Sequence, residues 1–192
     1  MTQVLEHSCN TGMTFVAKKL GSSLFYSYLK AYGLLEKTGL GINDEVQGDV
    51  EHSDNWTESE MVTKAFGQGI SMTPLQLVQA YTTLANGGTM MRPYLIKKIE
   101  YADGSVEDFE PEVVAQVLKE QTASEITAML TSVVNQYTSK IALEDHYVAG
   151  KSGTAQTYKN GEAVGGAGST ITSFIGYGPI EDTQFLVLVK IS

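Results

Sequence analysis

Two short stretches near opposite ends of the chain carry residue types that can do chemistry together. Ala149-Gly150-Lys151-Ser152-Gly153-Thr154-Ala155-Gln156 sets a cation, two hydroxyls and side-chain-free positions on one predicted strand. Such a strand can hold a carboxylate by charge and hydroxyl donors, and can present a backbone N–H to a reacting carbonyl. Glycine within a strand marks close approach of another backbone or a ligand. Ser8-Cys9-Asn10 supplies a hydroxyl that can relay a proton and an amide that can hold a carbonyl. Read alone, Ser and Asn just before a helical pattern are ordinary capping residues, and Lys151 beside two glycines is an edge lysine at a bulge.

The elements that must position these residues follow from periodicity. Apolar residues Phe15, Val16, Leu20, Leu24, Phe25, Tyr28 and Leu29 predict one helix over 11–32, stopped by Gly33. Residues 36–60 are polar and glycine-rich and read as a long surface loop. Thr73-Pro74-Leu75-Gln76 combines a capping Thr, a Pro at the first helical position and a Gln at the third, and Asn86-Gly87-Gly88 ends that helix. Asp103-Gly104 predicts a hairpin between 94–101 and 105–109. A third helix is expected over 123–136. Strands are expected at 146–158, 171–178 and 185–189, the last of them central, with the turn Pro179 to Thr183 joining the final pair antiparallel. Helices first and a meander last predict an α+β fold, helices packed on an antiparallel sheet. The expectation is one domain over 1–192, helical to about residue 145 and a β-meander from about residue 146.

Composition narrows the function classes. The chain has 192 residues, 42% hydrophobic and 18% charged, as folded domains do, and a formal net charge of -9 with one arginine, Arg92. A nucleic-acid surface needs clustered Lys and Arg, so no nucleic acid is expected. No apolar run approaches the length of a membrane span. The single cysteine excludes an internal disulfide framework. His7, His52 and His146 show no metal-ligand spacing, and no metal or cofactor is expected. Gly161, Gly165, Gly166 and Gly168 read as a connection between strands, not as a phosphate loop.

The motifs occur in a set that resembles the transpeptidase domain of class B, high-molecular-weight penicillin-binding proteins. The matching text runs Glu6-His7-Ser8-Cys9-Asn10-Thr11-Gly12-Met13, then Phe66 to Leu77, Ala85-Asn86-Gly87-Gly88, Arg92-Pro93, Gly150 to Gln156, and Ser173-Phe174-Ile175-Gly176-Tyr177. The resemblance implies the penicillin-binding transpeptidase / serine β-lactamase-like fold and a serine-type D,D-transpeptidase working through an acyl-enzyme. It implies that Ser8 passes a proton, Asn10 holds the substrate amide and Lys151 draws in the substrate carboxylate. Ser152 and Thr154 would bind that carboxylate, the Thr154 N–H would form half of the oxyanion hole, and Gly153 would leave room for the substrate.

The family's nucleophile lies in a Ser-x-x-Lys motif upstream of Ser-x-Asn. Here Ser27-Tyr28-Leu29-Lys30 follows Ser-x-Asn inside an amphipathic helix and is read as a chance match, with Lys30 on a solvated face. The domain is therefore expected to be partial, lacking the nucleophile segment, the first strands of the sheet and the C-terminal helix, and inactive alone. The implied partners are peptidoglycan stem peptides, β-lactam antibiotics and cell-wall synthesis proteins. The implied location is the extracytoplasmic face of the bacterial cytoplasmic membrane. A β-lactam sensor, a β-lactamase relative and a non-catalytic protein that keeps the cleft are the alternatives.

Overall fold

The computed structural model describes residues 1–136, 146–159, 162–163 and 169–191. Its frame is a three-stranded antiparallel sheet with helices packed on one face. The strands are β5 (Ala149–Gln156), β8 (Thr170–Gly178) and β9 (Phe185–Ile191), in spatial order β5-β8-β9. The middle strand is β8, and β9 lies at the edge of the described sheet, which corrects the central placement expected for it. Its β-branched run is consistent with strand structure but does not fix which neighbours it has. Phe185, Val187, Val189 and Ile191 on β9 stay exposed.

The helices are α1 (Thr2–Glu6), α2 (Asn10–Leu20), α3 (Ser22–Ala31), α4 (Glu58–Ala65), α5 (Pro74–Ala85) and α6 (Glu120–Asn135). The single helix expected over 11–32 is two. Gly21 stands between α2 and α3 at φ 81 and ψ 157, a conformation that breaks helical hydrogen bonding and that glycine adopts at little cost. Four short strands interrupt the helical part: β1 (Thr89–Met91) pairs with β4 (Val113–Gln116), and β2 (Lys98–Glu100) pairs with β3 (Val106–Asp108) as the expected hairpin. A two-residue pair, β6 (Tyr158–Lys159) and β7 (Glu162–Ala163), completes the strands among the described residues. Gly161, Gly165, Gly166 and Gly168 lie outside the described residues.

The polar segment 36–60 has more internal structure than a plain loop. The Glu45 carboxylate accepts from Thr38 N at 2.7 Å, Thr38 Oγ1 at 2.5 Å and Gly39 N at 3.2 Å. Those bonds close a turn and hold Glu45 below the usual carboxylate range. A 3-10 turn at Ser53–Asn55 and a Thr57/Glu60 capping box then start α4.

Gln76 locks this segment to α5. Its side chain is fully buried. Its carbonyl oxygen accepts from Thr73 N and Gly48 N, both at 2.9 Å, and its amide donates to Glu36 O at 2.7 Å and Leu34 O at 3.3 Å. The capping Gln expected from the sequence is therefore also the residue that ties the chain after α3, residue 48 and α5 together. Beside it Leu29, Leu34 and Ala80 form one core cluster with Phe25 and Trp56.

The second cluster lies between α5, α6 and the sheet, around Leu130, Ala149 and Tyr177. The hydroxyls of Tyr177 and Thr127 pair at 2.7 Å. Burial, with Tyr177 nearby, pushes the Tyr81 phenol up to about 12.

Candidate active site

The site is assembled on α6. That helix packs against α1 on one side and β5 on the other. Ser132 Oγ on α6 donates to Glu6 Oε1 at 2.5 Å, which ties the end of α1 to the beam that also carries β5. α1 and α2 in turn meet where Gly12 faces Val4. A Cβ at Gly12 would lie 2.6 Å from Val4 Cγ1, so the approach requires glycine.

Ser8 sits in the connection between these two short helices with φ 47, one of two non-glycine residues with positive φ among those described. The left-handed region costs an L-residue roughly 1–2 kcal/mol, and such strain clusters at functional sites. The connection is fixed by Ser8 N to Leu5 O at 3.1 Å and Cys9 N to Val4 O at 2.8 Å. The capping reading of Ser8 and Asn10 does not describe the geometry. The N-cap of α2 is Cys9, no side chain caps it, and Asn10 is the first helical residue with its side chain exposed. Cys9 Sγ instead pairs with Thr11 Oγ1 at 3.1 Å, and that hydrogen bond is the first cause of a thiol held below its usual range.

β5 faces this connection. Its register with β8 sets Lys151 opposite Ile175, Ser152 opposite Phe174, Gly153 opposite Ser173 and Thr154 opposite Thr172. Lys151 shares a face with the fully buried Ala149, toward the helices, by the two-residue alternation of a strand. Its ammonium donates to Ser8 Oγ and, at 2.9 Å, to Ser152 O. The two ends of the chain singled out by residue type are in direct contact. Burial lowers the Lys151 pKa, because removing water disfavours the ammonium. Ser152 and Thr154 alternate to the other face, with Ser152 partly covered and Thr154 exposed. The glycines answer to the sheet itself. A Cβ at Gly150 would meet Phe174 Cζ at 2.7 Å and Ile175 O at 2.8 Å, and one at Gly153 would meet Ser173 Oγ at 3.0 Å.

The remaining candidates do not join the site. Ser27 Oγ donates to Ser23 O at 2.8 Å, a backbone contact one helical turn away, and both Ser27 and Lys30 are exposed on α3. His7 follows α1 as its exposed C-cap. His52 stacks near Tyr26 and lies 3.4 Å from Asp54. Trp56 packs against Phe25 and Tyr26. Among the described residues no group of three His, Cys, Asp or Glu side chains could hold a metal ion. Glu6, Ser132 and Gly12 were missed as site supports. Gly12 had a signal, its place two residues after Asn10. The Glu6–Ser132 bond spans 126 positions and has none.

A helical layer thus packs on an antiparallel sheet, and a serine with positive φ in a helix junction touches a lysine on the outermost described strand. The model of the penicillin binding protein transpeptidase domain matches residues 1–192, and the chain belongs to that family. It is 36% identical over 194 residues to stage V sporulation protein D of Bacillus subtilis, covering 98% of this chain and 29% of that protein. It is 31% identical to the penicillin-binding protein PbpB of Mycolicibacterium smegmatis, covering 97% of this chain and 30% of the relative. The chain thus spans under a third of these relatives' length. Among solved structures, apo penicillin binding protein 3 from Mycobacterium tuberculosis superposes with a TM-score of 0.90 at 28% identity, covering 100% of this chain and 45% of that one. Penicillin binding protein 2X from Streptococcus thermophilus gives 0.89 at 28% identity, covering 99% and 29%.

Proposed function

We propose that this domain serves peptidoglycan D,D-transpeptidation, cross-linking the cell wall on the extracytoplasmic face of the bacterial cytoplasmic membrane. The observation that carries the reading is the Lys151–Ser8 contact at the strained junction between α1 and α2. A cation aimed at a hydroxyl can lower the cost of moving a proton through that hydroxyl. The relatives support the assignment. Those of Escherichia coli and Mesostigma viride are named as a peptidoglycan D,D-transpeptidase and its homolog, and penicillin binding protein 3 of M. tuberculosis has been solved with ampicillin and with aztreonam.

In this reading the substrate strand runs along β5. Lys151 draws in the terminal carboxylate by its charge, the Ser152 and Thr154 hydroxyls bind it, and Asn10 holds a backbone amide. A serine from a Ser-x-x-Lys segment attacks the penultimate D-alanine carbonyl. Its hydroxyl proton passes by way of Ser8 to the leaving D-alanine nitrogen, and the oxyanion rests against the Thr154 N–H. An acceptor amine then displaces the serine, which regains a proton from that amine. β-Lactams enter by the same route, their carboxylate on Lys151.

The test has two arms. The chain by itself, mixed with a fluorescent penicillin and run on a denaturing gel, is expected to stay unlabelled, because its one Ser-x-x-Lys is Ser27–Lys30 on α3. The chain joined to an upstream Ser-x-x-Lys segment is expected to take up one label per molecule, and a Lys151→Met variant of that protein to label much more slowly. Equal labelling of the variant, or stoichiometric label on Ser27, refutes the reading.

A further inference from the structure

A second concavity lies away from the Ser8–Lys151 cleft and shares none of its elements. It encloses about 510 Å³ between the C-terminal end of α3, residues 36–39, α5, β1 and β4. Its lining includes the buried Met90 and the exposed apolar residues Val114 and Ala115. Its rim carries Lys30, Lys37 and Arg92, against one lining carboxylate, Glu36. This is contrary to the balance of the whole chain, where 22 acidic residues outnumber 13 basic ones. Three of those 13 cations, including the only arginine, converge on one cavity.

Two further observations separate this cavity from a chance cluster of surface lysines. First, its wall is built. Thr38 and Gln79 line it while each is only 4% exposed, and the Gln79 amide lies 3.4 Å from Thr38 O. The three hydrogen bonds to Glu45 fix the 38–39 turn and draw that carboxylate out of the lining. The Arg92 guanidinium lies over Gly39, 3.6 Å from the position a Cβ would take. Second, the two lysine charges are unspent. Among the described residues Arg92 pairs with Glu112 at 3.1 Å, but neither Lys30 nor Lys37 makes an ion pair. A concavity whose lining carries more positive than negative charge focuses potential on a ligand of negative sign.

The geometry points to a binding site for a ligand carrying two anionic groups, phosphate or carboxylate, held between Arg92 and the Lys30/Lys37 pair. Guanidinium geometry suits either oxyanion, and two flexible lysines accept a second charge at variable spacing. The site is independent of the transpeptidase reading, because no lining residue belongs to α1, α6 or β5.

The experiment is an amide and side-chain NMR titration of this chain with pyrophosphate in one arm and citrate in the other. Saturable shifts are expected at Gly33, Gly39, the Gln79 amide and the Arg92 guanidinium, weakening as salt is raised. Response to pyrophosphate alone assigns a phosphate ligand, and response to citrate alone a carboxylate ligand. The Lys30→Gln/Lys37→Gln double variant, with both sites exposed on the wild-type surface, is expected to bind about tenfold more weakly, or about 1.4 kcal/mol. Arg92→Gln is expected to weaken binding at least as much. Absence of saturable shifts in both arms overturns the proposal. So does affinity unchanged in either variant, or a shift pattern centred on Ser8 and Lys151.

Discussion

Replacing Gln76 by leucine tests how the polar segment 36–60 is held. The substitution keeps an apolar stem of similar size and removes every hydrogen bond the amide makes. Four backbone groups lose their partner: Thr73 N, Gly48 N, Leu34 O and Glu36 O. Glu36 is exposed, so its carbonyl regains water, and Thr73 lies at a helix start that remains partly accessible. Thr73 Oγ1 keeps its bond from Gln76 N at 3.1 Å, so half of the capping box survives. The costly pair is Leu34 O, on a buried residue, and Gly48 N, where the chain runs so close to Ser71 O that a Cβ would lie 1.9 Å from it. An orphaned buried group costs about 1–3 kcal/mol, so the pair with the weakened cap is expected to cost about 3–5 kcal/mol. Against a typical stability of about 5–15 kcal/mol that is a large fraction. The assay is urea unfolding followed by the fluorescence of Trp56, the only tryptophan, which packs on the neighbouring core cluster. Gln79→Leu is the control. It gives up one long bond of 3.4 Å and is expected to cost about 1 kcal/mol. A Gln76→Leu loss below about 1 kcal/mol, or a loss equal to that of the control, refutes the reasoning.

Thr83 is fully buried and its hydroxyl has no hydrogen-bond partner among the described residues. Thr83→Val keeps the shape and is expected to stabilise by about 1 kcal/mol, read as a rise in melting temperature of about 2–4 °C. Ser8→Gly relieves the positive φ and is expected to stabilise by about 1 kcal/mol. In the protein joined to a Ser-x-x-Lys segment the same change is expected to slow penicillin acylation, so stability and acylation rate move in opposite directions. Burial lowers the Lys151 pKa, so the native chain releases this proton at a pH where the unfolded chain still holds it. Stability should therefore rise as pH climbs from the lowered native value toward the ordinary lysine value, while carboxylate binding falls over the same rise. A titration of the Lys151 Cε resonance gives the midpoint, and a midpoint at or above the ordinary value refutes it.

What the sequence made legible was local. The α5 helix carried its Thr-Pro and Gln signals within four residues, and the hairpin carried Asp103-Gly104 at its tip. The strand at 171–178 was readable because its first half alternates, with Thr170 and Thr172 exposed and Ile171 and Ser173 partly covered, before the strand becomes buried on both faces from Ile175. The break at Gly21 was hidden because the apolar stripe continues on both sides of it, and periodicity does not register a single residue that turns the axis. The α4 capping box, Thr57 and Glu60, was obscured by the polar run around it. The place of β9 at an edge depends on what lies beside it, which no property of its own residues encodes. In the site, residue type picked out Ser8 and Lys151. Their contact and the Glu6–Ser132 tie depend on tertiary packing over more than a hundred residues and leave no spacing to read.

Both walls of the cleft hang from α6, and this governs how the cleft tolerates change. A substitution on the side of α6 that meets α5 shifts α6 with α1 and β5 attached, so the gap between Ser8 and Lys151 is expected to persist while its position in the molecule drifts. Changes at the joints act otherwise. A larger residue at Gly12 would swing α2 against α1, and one at Gly150 would push β5 from β8, each moving one wall alone. Sequence drift should therefore be freer where α6 meets α5 than at these two glycines or at Leu130, which packs directly on Ala149 of β5 and Leu5 of α1.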